Sequence, residues 1–98
     1  MRESGFQTKC IAHLNQLKIY HVNLHADGWT GKGAPDLLVC MAGRFVAFEL
    51  KVDDNELEPA QRIHKLRIER NGGLHYAPRT LKEFIQIIES LKLRGAKT

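Results

Sequence analysis

The 98-residue sequence has few of the residues that organise disulfide-rich, zinc-binding or membrane proteins. It contains only two cysteines, Cys10 and Cys40, and we expect both to be buried free thiols in a reducing compartment rather than a disulfide. Its five histidines show no paired metal-ligand spacing, which argues against a structural zinc site. No segment approaches the roughly 18 apolar residues of a membrane span. The first five residues lack the apolar stretch of a secretory signal, so we expect a cytoplasmic location.

Acidic residues are also too few to balance the basic ones. Fifteen Lys and Arg against eleven Asp and Glu give a net charge of +4, which suits a polyanionic partner without proving one. Hydrophobic residues make up 43% of the chain, enough for one modest core, and there is no internal repeat or low-complexity segment. We therefore expect one domain over residues 1–98, with a core at about 3–91 and a frayed polar tail at 92–98.

Apolar periodicity and turn residues predict seven elements in the order αβββαβα. The expected elements are a helix from about Glu3 to Lys18, a strand over 19–25, a hairpin of strands at 36–41 and 44–52, a helix from Pro59 to about Asn71, a short strand over 74–77 and a helix marked by apolar residues from Leu81 to Leu91. This order predicts an α/β fold, a mixed sheet with helices on its faces.

A loop over residues 26–35 contains three glycines and a proline, so it can approach a backbone or a ligand closely. Within it, Trp29 is suited to stack on an unpaired base or to wedge into a duplex. The alternative is that it anchors the loop on the core or meets a partner subunit. His25, at the end of the preceding strand, is either near a substrate or a solvated loop residue.

The hairpin carries the most informative pattern in the chain. If Ala42 and Gly43 form a two-residue loop, the numbers of paired residues sum to 85, and Asp36 lies opposite Glu49. Opposed carboxylates with Cβ atoms about 5 Å apart repel each other, so a cation is expected between them. Lys51 points to the same face as Glu49, because side chains alternate along a strand. A three-residue loop with a bulge is an alternative register.

The other hairpin positions are apolar on both faces, which predicts a sheet covered on both sides. The acidic pair then lies at one end of a buried sheet, where unpaired charge is costly. The plain alternative is that Asp36 starts a strand after a turn, and that Glu49 and Lys51 are solvent-facing residues of an edge strand.

These residues resemble the active site of the PD-(D/E)xK nuclease superfamily. Further features narrow the resemblance to the VRR-NUC domain, the virus-type replication and repair nuclease module: Glu3 in the first helix, Gly33-Ala-Pro-Asp36, Gln61 after the catalytic strand, and Gly72-Gly73 before the last strand. The similarity runs from about Glu3 to about Leu91. It implies a restriction-endonuclease-like sheet flanked by helices.

The resemblance also implies a role for each site residue. Asp36 and Glu49 are expected to be metal ligands, with the Leu50 carbonyl as a third oxygen and Glu3 as a less certain fourth ligand. Hard oxygen donors favour Mg²⁺ or Mn²⁺ over Zn²⁺, so the expected cofactor is Mg²⁺ or Mn²⁺. Lys51 is expected to orient the attacking water or to stabilise the phosphate in the transition state. Gln61 is expected either to bond the water or a phosphate, or to be a surface glutamine.

The implied function is a metal-dependent DNA endonuclease acting on branched DNA such as four-way junctions or flaps, in DNA repair or recombination. We expect a two-fold homodimer, because two identical sites would then face opposed strands. The alternative is an idle module of the same fold that binds DNA or a protein. The presence of Asp36, Glu49 and Lys51 together favours the enzyme, since a degenerate relative should have lost at least one of them.

Overall fold

The computed structural model describes residues 3–25, 31–51 and 56–96, with side chains described between residues 5 and 94. The elements are α1 (Glu3–Gln16), β1 (His21–Asn23), β2 (Leu37–Met41), β3 (Arg44–Phe48), α2 (Pro59–Arg70), β4 (Leu74–Tyr76) and α3 (Leu81–Ala96). The predicted order αβββαβα is therefore confirmed. Among the described residues, no helix is long and apolar enough to cross a membrane.

Two helix ends differ from the expectation. The first helix ends at Gln16 because Lys18 adopts a left-handed φ of 57° and the Ile19 amide donates to the Leu14 carbonyl at 2.9 Å, which closes the last turn. The third helix continues to Ala96, so the predicted frayed tail from residue 92 is wrong for residues 92–96. Good helix formers and a basic residue in the last turn, Arg94, favour this continuation.

The four strands form one mixed sheet in the order β1-β2-β3-β4, antiparallel except for the parallel pair β3 and β4. The hairpin has the predicted two-residue loop, in which Ala42 and Gly43 both have positive φ, 51° and 75°, as a type I′ turn requires. Pairs from Met41↔Arg44 to Leu37↔Phe48 follow the predicted register. The alternative register, with a three-residue loop and a bulge, is therefore excluded.

One face of the sheet carries the core. Alternate residues of β2 and β3, continuing to Leu50, are fully or almost fully buried against the apolar stripes of α1 and α3. The cluster comprises Phe6, Cys10, Leu14, Leu37, Val39, Met41, Val46, Phe48, Leu50, Phe84, Ile88 and Leu91. Burial raises the pKa of the Cys10 thiol to about 12, so this cysteine is the buried free thiol expected.

The opposite face is only partly covered, which corrects the expectation of a sheet buried on both sides. Helix α2 packs next to β4, where the Lys65 ammonium donates to the His75 carbonyl at 3.2 Å. Helix α2 contributes no fully buried residue. In the described part of the chain, this face stays open at Phe45, which is 50% exposed, and at Cys40, which is exposed rather than buried.

Candidate active site

Asp36 is fixed by hydrogen bonds from two neighbouring strands. Its amide donates to the Phe48 carbonyl at 2.9 Å, and its carbonyl accepts from the Leu24 amide at 3.0 Å. Its side chain is almost fully buried, and Oδ2 accepts from the Leu50 amide at 2.8 Å. The carboxylate is therefore held against the backbone that joins Glu49 to Leu50.

The predicted direct pairing of Asp36 with Glu49 is replaced by a bulge. Leu37 is already paired with Phe48, and the Asp36 amide donates to that same residue, so two residues of one strand face one residue of the other. The ladder ends at this pair. The displacement turns the Asp36 carboxylate toward the Leu50 amide instead of leaving it in register across the hairpin.

Residues 49–51 continue the extended course of β3. Their amides alternate in direction: Glu49 donates to the Tyr76 carbonyl at 2.9 Å, Leu50 to Asp36, and Lys51 to the Pro78 carbonyl at 3.1 Å. An extended residue directs its own N–H and C=O to the same side, so the Leu50 carbonyl points toward Asp36. Leu50 is buried in the core, and Glu49 and Lys51 therefore project from the opposite face.

The donor set suits a small divalent cation. Asp36 and Glu49 are 5% and 4% exposed, and burying two carboxylates near each other is costly unless a cation or hydrogen bonds offset the charge. Mg²⁺ binds through one or two carboxylates and keeps water or phosphate oxygens in its remaining positions. In the described part of the chain, no group of three or more His, Cys, Asp and Glu could hold a metal ion, so the two carboxylates would need the Leu50 carbonyl and water.

The loop before Asp36 is packed tightly against α2. Gly33 has a φ of +78°, and a Cβ built on it would lie 2.5 Å from the Ala60 carbonyl carbon. The His64 ring donates from Nε2 to the Lys32 carbonyl at 3.0 Å. Only glycine fits this approach without strain. Gly33-Ala-Pro-Asp36 therefore fixes the first turn of α2 next to the acidic residues.

The other predicted site residues have different outcomes. Lys51 is half-buried, on the same face as Glu49. The Gln61 side-chain oxygen accepts from the Glu58 amide at 2.8 Å, so it caps the start of α2, and its predicted contact with water or phosphate stays a prediction. The backbone of Glu3 begins α1, but its side chain lies outside the described residues, as does Trp29. Their predicted roles stay untested.

His25 contacts the acidic site directly. Its Nε2 lies 3.0 Å from Asp36 Oδ1, and because a carboxylate only accepts, Nε2 must donate. The bond between Leu24 and Asp36 places the histidine there. The sequence left two alternatives for His25, a position near a substrate or a solvated loop residue. Its bond to Asp36 could have been anticipated only from the pairing of β1 with β2.

His75 was not predicted as part of this region. It pairs with Ala47 in the sheet, on the face that carries Glu49, and is 4% exposed. Neither ring nitrogen has a hydrogen-bond partner among the described residues. Burial, with a contribution from the Lys65 charge, lowers the pKa of His75 to about 4, so the ring is neutral near pH 7. Strand alternation relative to Leu74 and Tyr76, which are partly buried against the core, could have indicated its face.

Comparison with known proteins agrees with this geometry. No protein-family model matches the sequence, and no curated protein matches it. A solved structure described as a "VRR_NUC domain" is similar to this chain with a TM-score of 0.72 and 27% sequence identity, covering 89% of this chain and 94% of that one. The similarity extends over nearly the whole of both chains and includes the mixed sheet flanked by three helices. The predicted resemblance and the predicted fold are confirmed: the chain is similar to a VRR-NUC domain and has the fold of that nuclease-type domain.

Proposed function

We propose that this protein is a metal-dependent endonuclease that hydrolyses phosphodiester bonds in DNA. The observation that carries the proposal is the placement of Asp36, whose carboxylate accepts the Leu50 amide and so lies beside the backbone of Glu49, with both acids buried. If Asp36 and Glu49 were only charged residues on the surface of a hairpin, their side chains would be exposed to water. The nuclease-type fold supports the same chemistry.

Asp36 and Glu49 would hold Mg²⁺ or Mn²⁺, with the Leu50 carbonyl directed to the same place. The bound ion would supply Lewis acidity, which lowers the pKa of a bound water and stabilises charge on a phosphate oxygen. The hydrogen bonds to Asp36 from Leu50 and His25 fix the carboxylate orientation before any ligand arrives. Such outer contacts to a ligating carboxylate tune its affinity.

Lys51 follows the two acids on the same face and has a half-exposed side chain, so its ammonium can reach a phosphate in the site. A compact ammonium with three donors stabilises negative charge that develops in the transition state and can orient the attacking water. The Gln61 side-chain oxygen is engaged at the cap of α2. Its amide NH₂ group is the part that would contact the water or the phosphate.

We further propose branched DNA as the substrate, with a two-fold homodimer as the active unit. A two-fold axis would place two identical sites on symmetry-related strands of a four-way junction. The apolar stripe of α3 mostly packs in the core, where Phe84 and Ile88 are fully buried, so it offers little surface for a dimer interface. The dimer therefore rests on substrate symmetry, and sedimentation at micromolar concentration tests it directly.

The test of the proposed function is cleavage of supercoiled plasmid and of a synthetic four-way junction. We expect product with Mg²⁺ or Mn²⁺ and none with EDTA. Folded protein that cleaves neither DNA with either metal would instead indicate the idle binding module. Paired cuts on two symmetry-related junction strands are expected from a dimer, whereas uncoupled single nicks by a monomer would contradict that part.

A further inference from the structure

An exposed row of side chains crosses the sheet on the same face as the acidic site. Cys40 is paired with Phe45, and the Cys40 amide donates to the Tyr20 carbonyl at 3.1 Å, which sets Tyr20 beside Cys40. Tyr20 is 73% exposed and Phe45 is 50% exposed. We call Tyr20, Cys40 and Phe45 the aromatic row, after the two aromatic residues that flank Cys40. Exposed aromatic side chains on an open sheet face indicate a binding surface.

The aromatic row lies close to the acidic site. Phe45, Ala47 and Glu49 alternate with the core residues Val46 and Phe48, so they project from one face of β3. Four residues of strand at about 3.3 Å each place Phe45 about 13 Å from Glu49. A polymer lying along the strand would contact both.

Phe45 lines two clefts whose other residues are basic, apolar or neutral polar. One cleft, of about 400 Å³, is lined by Phe45, His64, Arg67, Ile68, Asn71 and Gly73. The other, of about 210 Å³, is lined by Tyr20, Leu38, Val39, Cys40, Gly43, Arg44 and Phe45. Among the described residues that line them, none is acidic, and Arg67 is exposed beside Phe45. This charge suits a polyanion.

Gly73 allows the Phe45 ring to pack closely against the backbone that leads into β4. A Cβ at Gly73 would lie 3.2 Å from Phe45 Cδ1 and 2.8 Å from Ile68 Cγ2, so any side chain there would crowd the ring. The ring therefore packs on a glycine backbone at one edge and stays half-exposed.

We propose that the aromatic row, with Arg67, binds an unpaired nucleic-acid strand next to the phosphate that is cut; this rests on the nuclease function proposed above. Bases of a single strand present free faces that stack on aromatic rings, whereas bases inside a duplex are already stacked. Arg67, which lines a cleft together with Phe45, contacts a phosphate. A branched substrate has unpaired bases beside its duplex arms. These unpaired bases would bind the sheet face that carries the aromatic row.

The charge argues against a second copy of the chain as the occupant. A two-fold interface sets a surface patch against the same patch of the partner, so the cleft that contains Arg67 would face an identical basic cleft. The clefts supply no acidic side chain from their described linings to offset that repulsion. A nucleic-acid strand offsets it with every phosphate.

The test measures strand binding without cleavage. Fluorescence anisotropy in EDTA compares a labelled oligothymidine strand with a blunt duplex of the same length. Phe45→Ala should weaken strand binding by roughly 5- to 150-fold, the range for loss of one base-aromatic stack, with less effect on the duplex. Phe45→Leu, which keeps an apolar side chain beside Gly73 but lacks the ring, should also weaken it. Leu66→Ala is the matched control, because Leu66 is also 50% exposed but lies on the outward side of α2.

A second pair of variants tests the arginine. Arg67→Ala should reduce the slope of log Kd against log salt by roughly 0.7, as expected for one lost phosphate contact to a single strand. Arg94→Ala, on α3 behind the opposite face of the sheet, should leave the slope unchanged. Melting temperatures and sedimentation of every variant identify loss of folding or of self-association.

Strand binding by Phe45→Leu equal to wild type would overturn the proposal, as would an effect on self-association alone. Failure of the wild-type protein to bind the strand would overturn it too. Metal-dependent plasmid cleavage by the wild type is measured separately. Cleavage without a Phe45 effect removes this proposal and leaves the nuclease function, whereas absence of both cleavage and DNA binding removes both.

Discussion

The approach of Gly33 to α2 gives a quantitative prediction about how the acidic site is positioned. Gly33→Ala introduces two separate penalties. A left-handed φ costs an L-residue about 1 to 2 kcal/mol, and overlap with the Ala60 backbone, 2.5 Å from its carbonyl carbon and 2.7 Å from its oxygen, adds about 1 to 3 kcal/mol. Because backbone cannot rotate away as a side-chain end can, we expect a total loss of about 2 to 5 kcal/mol.

Gly43→Ala and Gly72→Ala are the controls, since both glycines have positive φ, 75° and 88°, but no atom within 4 Å of the added Cβ. These two variants therefore measure the cost of a positive φ alone, without steric overlap. In urea denaturation, the free energy of unfolding of Gly33→Ala should therefore fall by at least about 1 kcal/mol more than that of either control. In thermal denaturation, each further kcal/mol lost should lower Tm by about 4 to 8 °C. Equal losses at all three positions would refute the inferred packing of the loop on α2.

Three further predictions concern side chains around the acidic pair. Lys51→Ala should lose turnover while a calorimetric Mn²⁺ titration stays close to wild type; lost metal binding with normal turnover at saturating metal would show that its role is wrong. His25→Ala, which removes the donor to Asp36 Oδ1, should weaken Mn²⁺ binding by about 10- to 100-fold, and unchanged affinity would contradict the positioning role. For His75, burial lowers the pKa from 6.5 to about 4, so the unfolded chain takes up the proton first as pH falls. Stability should therefore fall by up to about 3 kcal/mol between about pH 6.5 and pH 4, and His75→Leu should flatten this dependence in urea titrations; parallel curves for the two proteins would exclude it.

The hairpin was predictable because its signals are local. A two-residue loop, with glycine at one of the two left-handed positions, fixes the register, and alternation then assigns each side chain to a face. The bulge at Asp36 was not predictable from the same rule. It depends on bonds from β1 and from Leu50, which join residues distant in sequence.

Coverage of a sheet face is likewise a property of the whole fold. Apolar alternation showed correctly that Leu37, Val39, Val46 and Phe48 share a face, but it could not show how far α2 extends over the other face. The position of α2 is set by Gly33 against Ala60 and by its contacts with β4. For that reason Cys40 is exposed where burial was expected.

The central claim is that Asp36 and Glu49 together form the metal site of a nuclease. The most direct measurement compares junction cleavage in Mn²⁺ with junction binding in EDTA for wild type, Asp36→Asn and Glu49→Gln, using Glu89→Gln on the exposed surface of α3 as the matched control. We expect both site variants to fold and to bind the junction without cleaving it, while the control cleaves normally. Cleavage at the wild-type rate by either site variant would show that Asp36 and Glu49 are not the metal ligands.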